Sequence, residues 1–97
     1  MNPITIERLK WFNKNILPLL KDYEISNRFF EEGDFGSLYQ IEFNSKSKGG
    51  NIDFWGLDWL GIFLWDYENE KELFNILIES KKEIEKENAF NQLIKLI

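Results

Sequence analysis

The chain contains neither cysteine nor histidine, and its 97 residues include only two prolines, one methionine and six glycines. Without cysteine there is no disulfide and no thiolate chemistry. Without histidine the commonest general base and metal ligand is missing. Little catalytic apparatus remains, so the expectation is a protein that is not an enzyme and uses no cofactor or metal. No apolar run approaches the length of a membrane span, and MNPITIERLK at the N-terminus lacks the apolar centre of a signal peptide. The expected location is the cytoplasm, away from any membrane.

Aromatic and apolar residues are plentiful. They make up 16% and 43% of the chain, more than a disordered segment carries and enough for one modest core, so residues 1–97 are expected to form one domain. The richest stretch is Asn51 to Asp66, NIDFWGLDWLGIFLWD, which holds every tryptophan except Trp11. Ile52 and Phe54 alternate with Asp53 and Trp55. Gly56, Leu57 and Asp58 supply turn chemistry, and a second run follows from Trp59 to Trp65. The pattern is that of a β-hairpin. In its second strand Leu60, Ile62 and Leu64 point to one side and Trp59, Phe63 and Trp65 to the other, so both faces are apolar. Such a strand is either covered on each side or keeps one face for a partner.

The net charge of -5 is unevenly spread. Residues 1–50 carry seven acids and seven bases, whereas between 51 and 80 Asp53, Asp58, Asp66, Glu68, Glu70, Glu72 and Glu79 are opposed only by Lys71. Nucleic acid is repelled by such a region and a basic protein is attracted to it. Acidic residues beside aromatic anchors suit a blocker of a nucleic-acid-binding surface, although a solvated acidic surface kept for solubility explains the same charges.

The rest of the chain supplies the frame. Asn2 or Thr5 can cap a helix starting near Pro3, with Leu9, Phe12, Ile16 and Leu20 as its apolar stripe and Trp11 off that stripe at the sheet edge. Pro18 either kinks this helix or restarts it, and the helix should end by Asp22. Strands are expected over Tyr23–Phe30 and Ser37–Phe43, with a flexible basic loop, Asn44 to Gly50, between the second and the hairpin. Glu72 to Glu79 fits either period. A Ser80-x-x-Glu83 capping box assigns it to the sheet and opens a C-terminal helix striped by Ile84, Phe90, Leu93, Ile94 and Ile97, with an interruption near Asn88. The expected class is α+β: a five-stranded antiparallel meander flanked by an N-terminal and a C-terminal helix.

Ile52, Phe54, Trp55, Ile62, Leu64, Asp66 and Glu68, together with Trp11-Phe12 and Lys95-Leu96-Ile97 near the two ends, resemble the immunity proteins of contact-dependent growth inhibition. The similarity is to the group called TriTu. It implies a cytoplasmic bacterial antidote that binds the C-terminal domain of a toxin delivered by a neighbouring cell. That toxin looks like a transfer RNA nuclease associated with elongation factor Tu, which would join the complex through the toxin. Neutralisation would proceed by occluding the toxin's active or RNA-binding surface, without direct contact to nucleic acid.

Positions 59, 61 and 63 depart from the family pattern, being Trp59, Gly61 and Phe63 where small or acidic residues are usual. On this basis Asp53, Trp55, Asp58, Trp59, Phe63, Asp66, Glu68 and Glu70 are candidate toxin contacts. The alternative for Trp59 and Phe63 is packing under a helix or in a homodimer. Glu68, Glu70 and Glu72 are more simply solvated carboxylates of a turn than metal ligands or an acid/base pair. A small acidic adaptor or regulator using the same surface on another protein is the other functional class left open, as is the oligomeric state.

Overall fold

The computed structural model describes residues 2–97, and its elements follow one another as helix, five strands, helix. Helix α1 runs Pro3–Asn15. Asn2 caps it, its Oδ1 accepting from the Thr5 backbone N–H at 2.9 Å, while Pro3 sits where a missing N–H costs nothing. Pro18 ends the helix and starts a short 3-10 turn over Leu17–Leu20, because proline at that point has no donor for the preceding α-helical carbonyl.

Five strands follow in sequence order and pair as an antiparallel meander: β1 Glu24–Phe30, β2 Leu38–Asn44, β3 Lys48–Trp55, β4 Leu60–Asp66 and β5 Lys71–Ile78. Helix α2, Glu83–Leu96, closes the chain. The register sets Ile41 against Ile52, Ile52 against Ile62 and Ile62 against Ile76, so four strands present matched apolar residues on one face. Phe12, Ile16 and Leu20 from the N-terminal segment and Ala89, Phe90 and Leu93 from α2 pack onto this face. Both helical segments therefore cover the same side of the sheet. Among the described residues no helix is long and apolar enough to cross a membrane.

Several local expectations are corrected. The flexible loop at Asn44 to Gly50 shrinks to a tight turn, because Ser45 Oγ accepts from the Lys48 N–H at 3.1 Å and the Ser45 N–H bonds the Lys48 carbonyl at 2.8 Å. Gly49 and Gly50 consequently lie in β3. The Ser80 capping box does not form. Helix α2 starts at Glu83 behind Lys82, with no side-chain cap, and runs without a break through Asn88. Ile84, assigned to the apolar stripe by its spacing, is 76% exposed, and the inward position nearest the start of α2 belongs to Lys86. Trp11 meets Phe90, with ring centroids 5.1 Å apart, rather than the sheet edge.

The reason for the shifted helix is Asp58. It lies within the turn between β3 and β4 in the left-handed region, φ 69°, and is only 5% exposed. Its Oδ2 lies 3.0 Å from Lys86 Nζ and accepts from the Lys81 backbone N–H at 3.1 Å. Lys86 Nζ also donates to the Asp58 carbonyl at 2.5 Å, and Arg8 reaches Oδ1 at 3.4 Å while bonding Glu83 at 2.6 Å. A buried carboxylate requires a paired cation, so the rotation of α2 follows the charge pair rather than the aliphatic spacing. The same hairpin turn receives the start of α1, through Thr5 Oγ1 on the Trp55 carbonyl at 2.9 Å and the Asn2 N–H on the Gly56 carbonyl at 3.2 Å. Lys48 ties down the other end of α2 by donating to the Leu96 carbonyl at 2.5 Å, where a cation also suits the helix dipole.

Candidate functional site

Strand residues alternate between faces, and the face opposite the helices carries Gln40, Glu42 and Asn44 of β2, Gly49, Asn51, Asp53 and Trp55 of β3, and Phe63 and Trp65 of β4. No residue of this face belongs to the core cluster. Its charged members across all five strands are Glu24, Glu42, Asp53 and Glu72 against Arg28, an acidic excess on an aromatic surface.

Two glycines shape the sheet here. A side chain at Gly49 would collide with Tyr67, whose hydroxyl crosses above the strand to donate to Asn44 Oδ1 at 2.5 Å. Gly50 pairs with the core residues Phe43 and Leu64 and so points to the helix side, where a side chain would run into the Phe63 carbonyl. With no side chain at Gly49, the sheet surface holds a depression of about 400 Å³. Its walls are Phe63, Trp65 and Tyr67 on one side and Glu42, Asn44 and Asn51 on the other. The Phe63 and Trp65 rings lie nearly parallel, 17° apart with centroids at 6.4 Å, since they occupy alternate positions of one strand. Beside the depression, Asp53 Oδ1 accepts from Gln40 at 2.8 Å and from Asn51 at 3.1 Å. These amides hold the carboxylate in place, and Gly61 across the ladder leaves room in front of it.

No protein family, curated protein or solved structure matches this chain. The site is therefore read from its own chemistry. A flat ring pair next to a carboxylate and two amides is chemically suited to a cationic or aromatic side chain, through cation–π contact on Trp65, while Glu42 at the rim is already bridged by Arg28 at 3.4 Å.

The eight expected contact residues separate into three groups. Asp53 and Phe63 lie on the open face, and Glu68 and Glu70 are exposed in the turn between β4 and β5 beside it. Trp55 and Trp59 are covered by the loop before β2. Phe35 stacks on Trp59 with centroids 3.9 Å apart and planes 7° apart, and meets Trp55 edge-on at 5.2 Å. Trp55 Nε1 is buried there without a hydrogen-bond partner, which costs about 1–3 kcal/mol. Thus Trp59 packs neither under a helix nor beside Phe63. Asp58 and Asp66 form the third group. Asp58 is enclosed by the ion pairs described above, and Asp66 is buried at the end of β4.

Asp66 organises the β4–β5 turn. Its Oδ1 accepts from the Glu68 and Asn69 backbone N–H groups at 2.9 and 3.1 Å, and its Oδ2 accepts from the Asn69 side chain at 2.8 Å. The Asn69 side-chain bond, followed by the Asn69 backbone bond and helped by the Glu68 N–H and the Lys71 charge, holds this carboxyl below its ordinary 3.8. A carboxyl depressed in the folded state stabilises the fold above its unfolded value, and that contribution disappears as pH falls through the lower folded value. Between about pH 4 and the acid transition, stability measured by denaturant should therefore fall less steeply in Asp66→Asn than in the native chain. Identical slopes would show that Asp66 is not part of the acid transition.

Trp65, Tyr67, Glu42, Asn44 and Asn51 were not among the expected contacts. Trp65 was readable as a neighbour of Phe63 from strand alternation alone. The other four come to the depression only through the β2–β3–β4 register, which the sequence does not announce. A larger groove of about 560 Å³ lies between the helices, lined by Pro3, Ile4, Glu7, Arg8, Trp11, Glu83, Glu87 and Phe90. Its only cation, Arg8, is engaged by Asp58 and Glu83.

Proposed function

We propose that this chain is a non-catalytic protein-binding module that uses its uncovered sheet face to mask a basic surface on a partner protein. The observation that carries the reading is the one-sided cover. Both helical segments pack on one face, while the opposite aromatic and acidic face is covered only at its Leu38–Trp55 end, by the loop before β2, and keeps a side-chain-sized depression open. A surface that binds nucleic acid is rich in arginine and lysine, the side chains this depression accommodates.

Together with the resemblance to contact-dependent growth inhibition immunity proteins, this supports a specific assignment. The chain neutralises a transfer RNA nuclease toxin in the cytoplasm by covering its active or RNA-binding surface, with elongation factor Tu joining through the toxin. Phe63, Trp65 and Asp53 are the central contacts, and Glu68 and Glu70 flank them at the β4–β5 turn.

The test is a titration of the chain into a transfer RNA cleavage assay driven by the toxin domain encoded beside it. Stoichiometric loss of cleavage, weakened at raised salt in proportion to the acidic contribution, is the expected result. Persistent cleavage with both proteins folded and the chain in excess would reject the immunity assignment for that pair.

A further inference from the structure

The two edges of the sheet are treated differently. At β5 the ladder carries a register irregularity at Leu64/Trp65, opposite which Leu73 is extra, and the strand begins Lys71-Glu72. Bulges and charges of this kind discourage another strand from adding to an edge. At β1 there is no such irregularity, and its two charges, Glu24 and Arg28, both stand on the face away from the helices. The strand EISNRFF contains no proline, glycine or lysine, pairs with β2 without irregularity along seven residues, and has every side chain exposed. Ile25, Phe29 and Phe30 are 40%, 56% and 45% exposed. Its single arginine already lies toward the sheet, 3.4 Å from Glu42.

We infer that β1 is the dimer edge of this protein, pairing antiparallel with β1 of a second copy about a twofold axis through Asn27 to make a continuous ten-stranded sheet. The occupant is argued from self-complementarity. A twofold axis perpendicular to the sheet keeps the helices of both copies on one side, so paired residues must belong to the same face and the axis must pass through a residue. Centring on Arg28 sets two like charges directly opposite each other. Centring on Ser26 leaves Phe29 and Phe30 beyond the paired strand residues. Centring on Asn27 pairs all seven positions. Ile25 then faces Phe29 of the second copy, and Glu24 lies diagonal to Arg28 of the second copy, so an apolar pair and an opposite-charge pair form on opposite faces. Because the β5 edges are blunted, the assembly closes at two chains. This edge is separate from the depression at Phe63 and Trp65, so the dimer stands or falls independently of toxin binding.

Sedimentation of the native chain across a wide concentration range should show a discrete monomer–dimer equilibrium. The absence of cysteine allows clean single-thiol variants. Asn27→Cys should form a disulfide-linked dimer on mild oxidation, since residues facing each other across an antiparallel pair lie within disulfide reach, whereas Ser26→Cys should not. Phe29→Lys, at an exposed position, should keep its circular dichroism spectrum and weaken dimerisation by about tenfold or more. A native chain that stays monomeric at every concentration would overturn the inference. So would open-ended aggregation, or faster cross-linking at Ser26→Cys than at Asn27→Cys.

Discussion

Lys86→Met should lower the stability of the fold by about 3–5 kcal/mol, the largest effect expected for any substitution of a charged residue in this chain. The methionine has much the same length and would pack well on its own account. What it leaves behind is Asp58, nearly fully buried, without the ammonium 3.0 Å from its Oδ2 and without the donor on its backbone carbonyl. The Lys81 N–H and the longer contact to Arg8 remain, and they do not replace a cation at that distance. Adding Asp58→Asn should restore part of the loss, since the double variant no longer buries an unpaired charge. By contrast, Lys82→Met should change stability by less than about 0.5 kcal/mol, because its 3.8 Å contact to Glu79 is exposed. Denaturant unfolding with unchanged slope is the measurement. A loss below about 1 kcal/mol for Lys86→Met would show that water reaches the pair and that the buried interaction is not what sets the rotation of α2.

Replacing Phe63 and Trp65 together by alanine should abolish most partner binding while leaving the fold intact. Aromatic anchors at the centre of an interface are each worth about 2 kcal/mol or more, so the pair should weaken affinity by at least about 10³-fold. Both rings sit on the uncovered face, outside the core cluster, so their loss leaves no cavity between sheet and helices. Trp59→Ala should behave in the opposite way. Its indole is stacked on Phe35 and holds down the loop before β2, so its truncation should cost stability directly and binding only indirectly. Titration against the proposed toxin partner, alongside thermal unfolding of each variant, separates the two roles. Unfolding of the Phe63/Trp65 double variant would place those rings in the structural core, and unaltered affinity would move the interface elsewhere.

The contrast between Trp59 and Phe63 shows where the candidate site was legible. Two residues of the same apparent strand face, four positions apart, share a prospective role by alternation. The structure divides them because β4 begins at Leu60, leaving Trp59 in the turn, where Phe35 reaches it. Phe35 falls between the two expected strands, and nothing in a one-dimensional pattern says which distant ring a loop phenylalanine will cover. The acidic character of residues 51–80 was real but overcounted as surface. Asp58 and Asp66 are enclosed by donors from Arg8, Lys81, Lys86 and Asn69, and only Asn69 is a near sequence neighbour of either.

Element order, the antiparallel meander and the grouping of Ile52 with Phe54 and of Leu60, Ile62 and Leu64 on single strand faces follow from the sequence, because period-two alternation and turn residues act over a few neighbours, while the face that turns inward is set by where the helices pack. The sequence also determined the first helix, through Asn2, Pro3 and Pro18, whose effects are local. The position of α2 and the extent of the open site depend on long-range packing. The helix begins and rotates to suit a carboxylate 28 residues away, overriding both a Ser-x-x-Glu signal and an isoleucine at core spacing, because an unpaired buried charge costs more than a cap or one exposed side chain. The depression on the open face exists because strand pairing brings Gly49 beneath Tyr67 and opposite Trp65, and register is a long-range property.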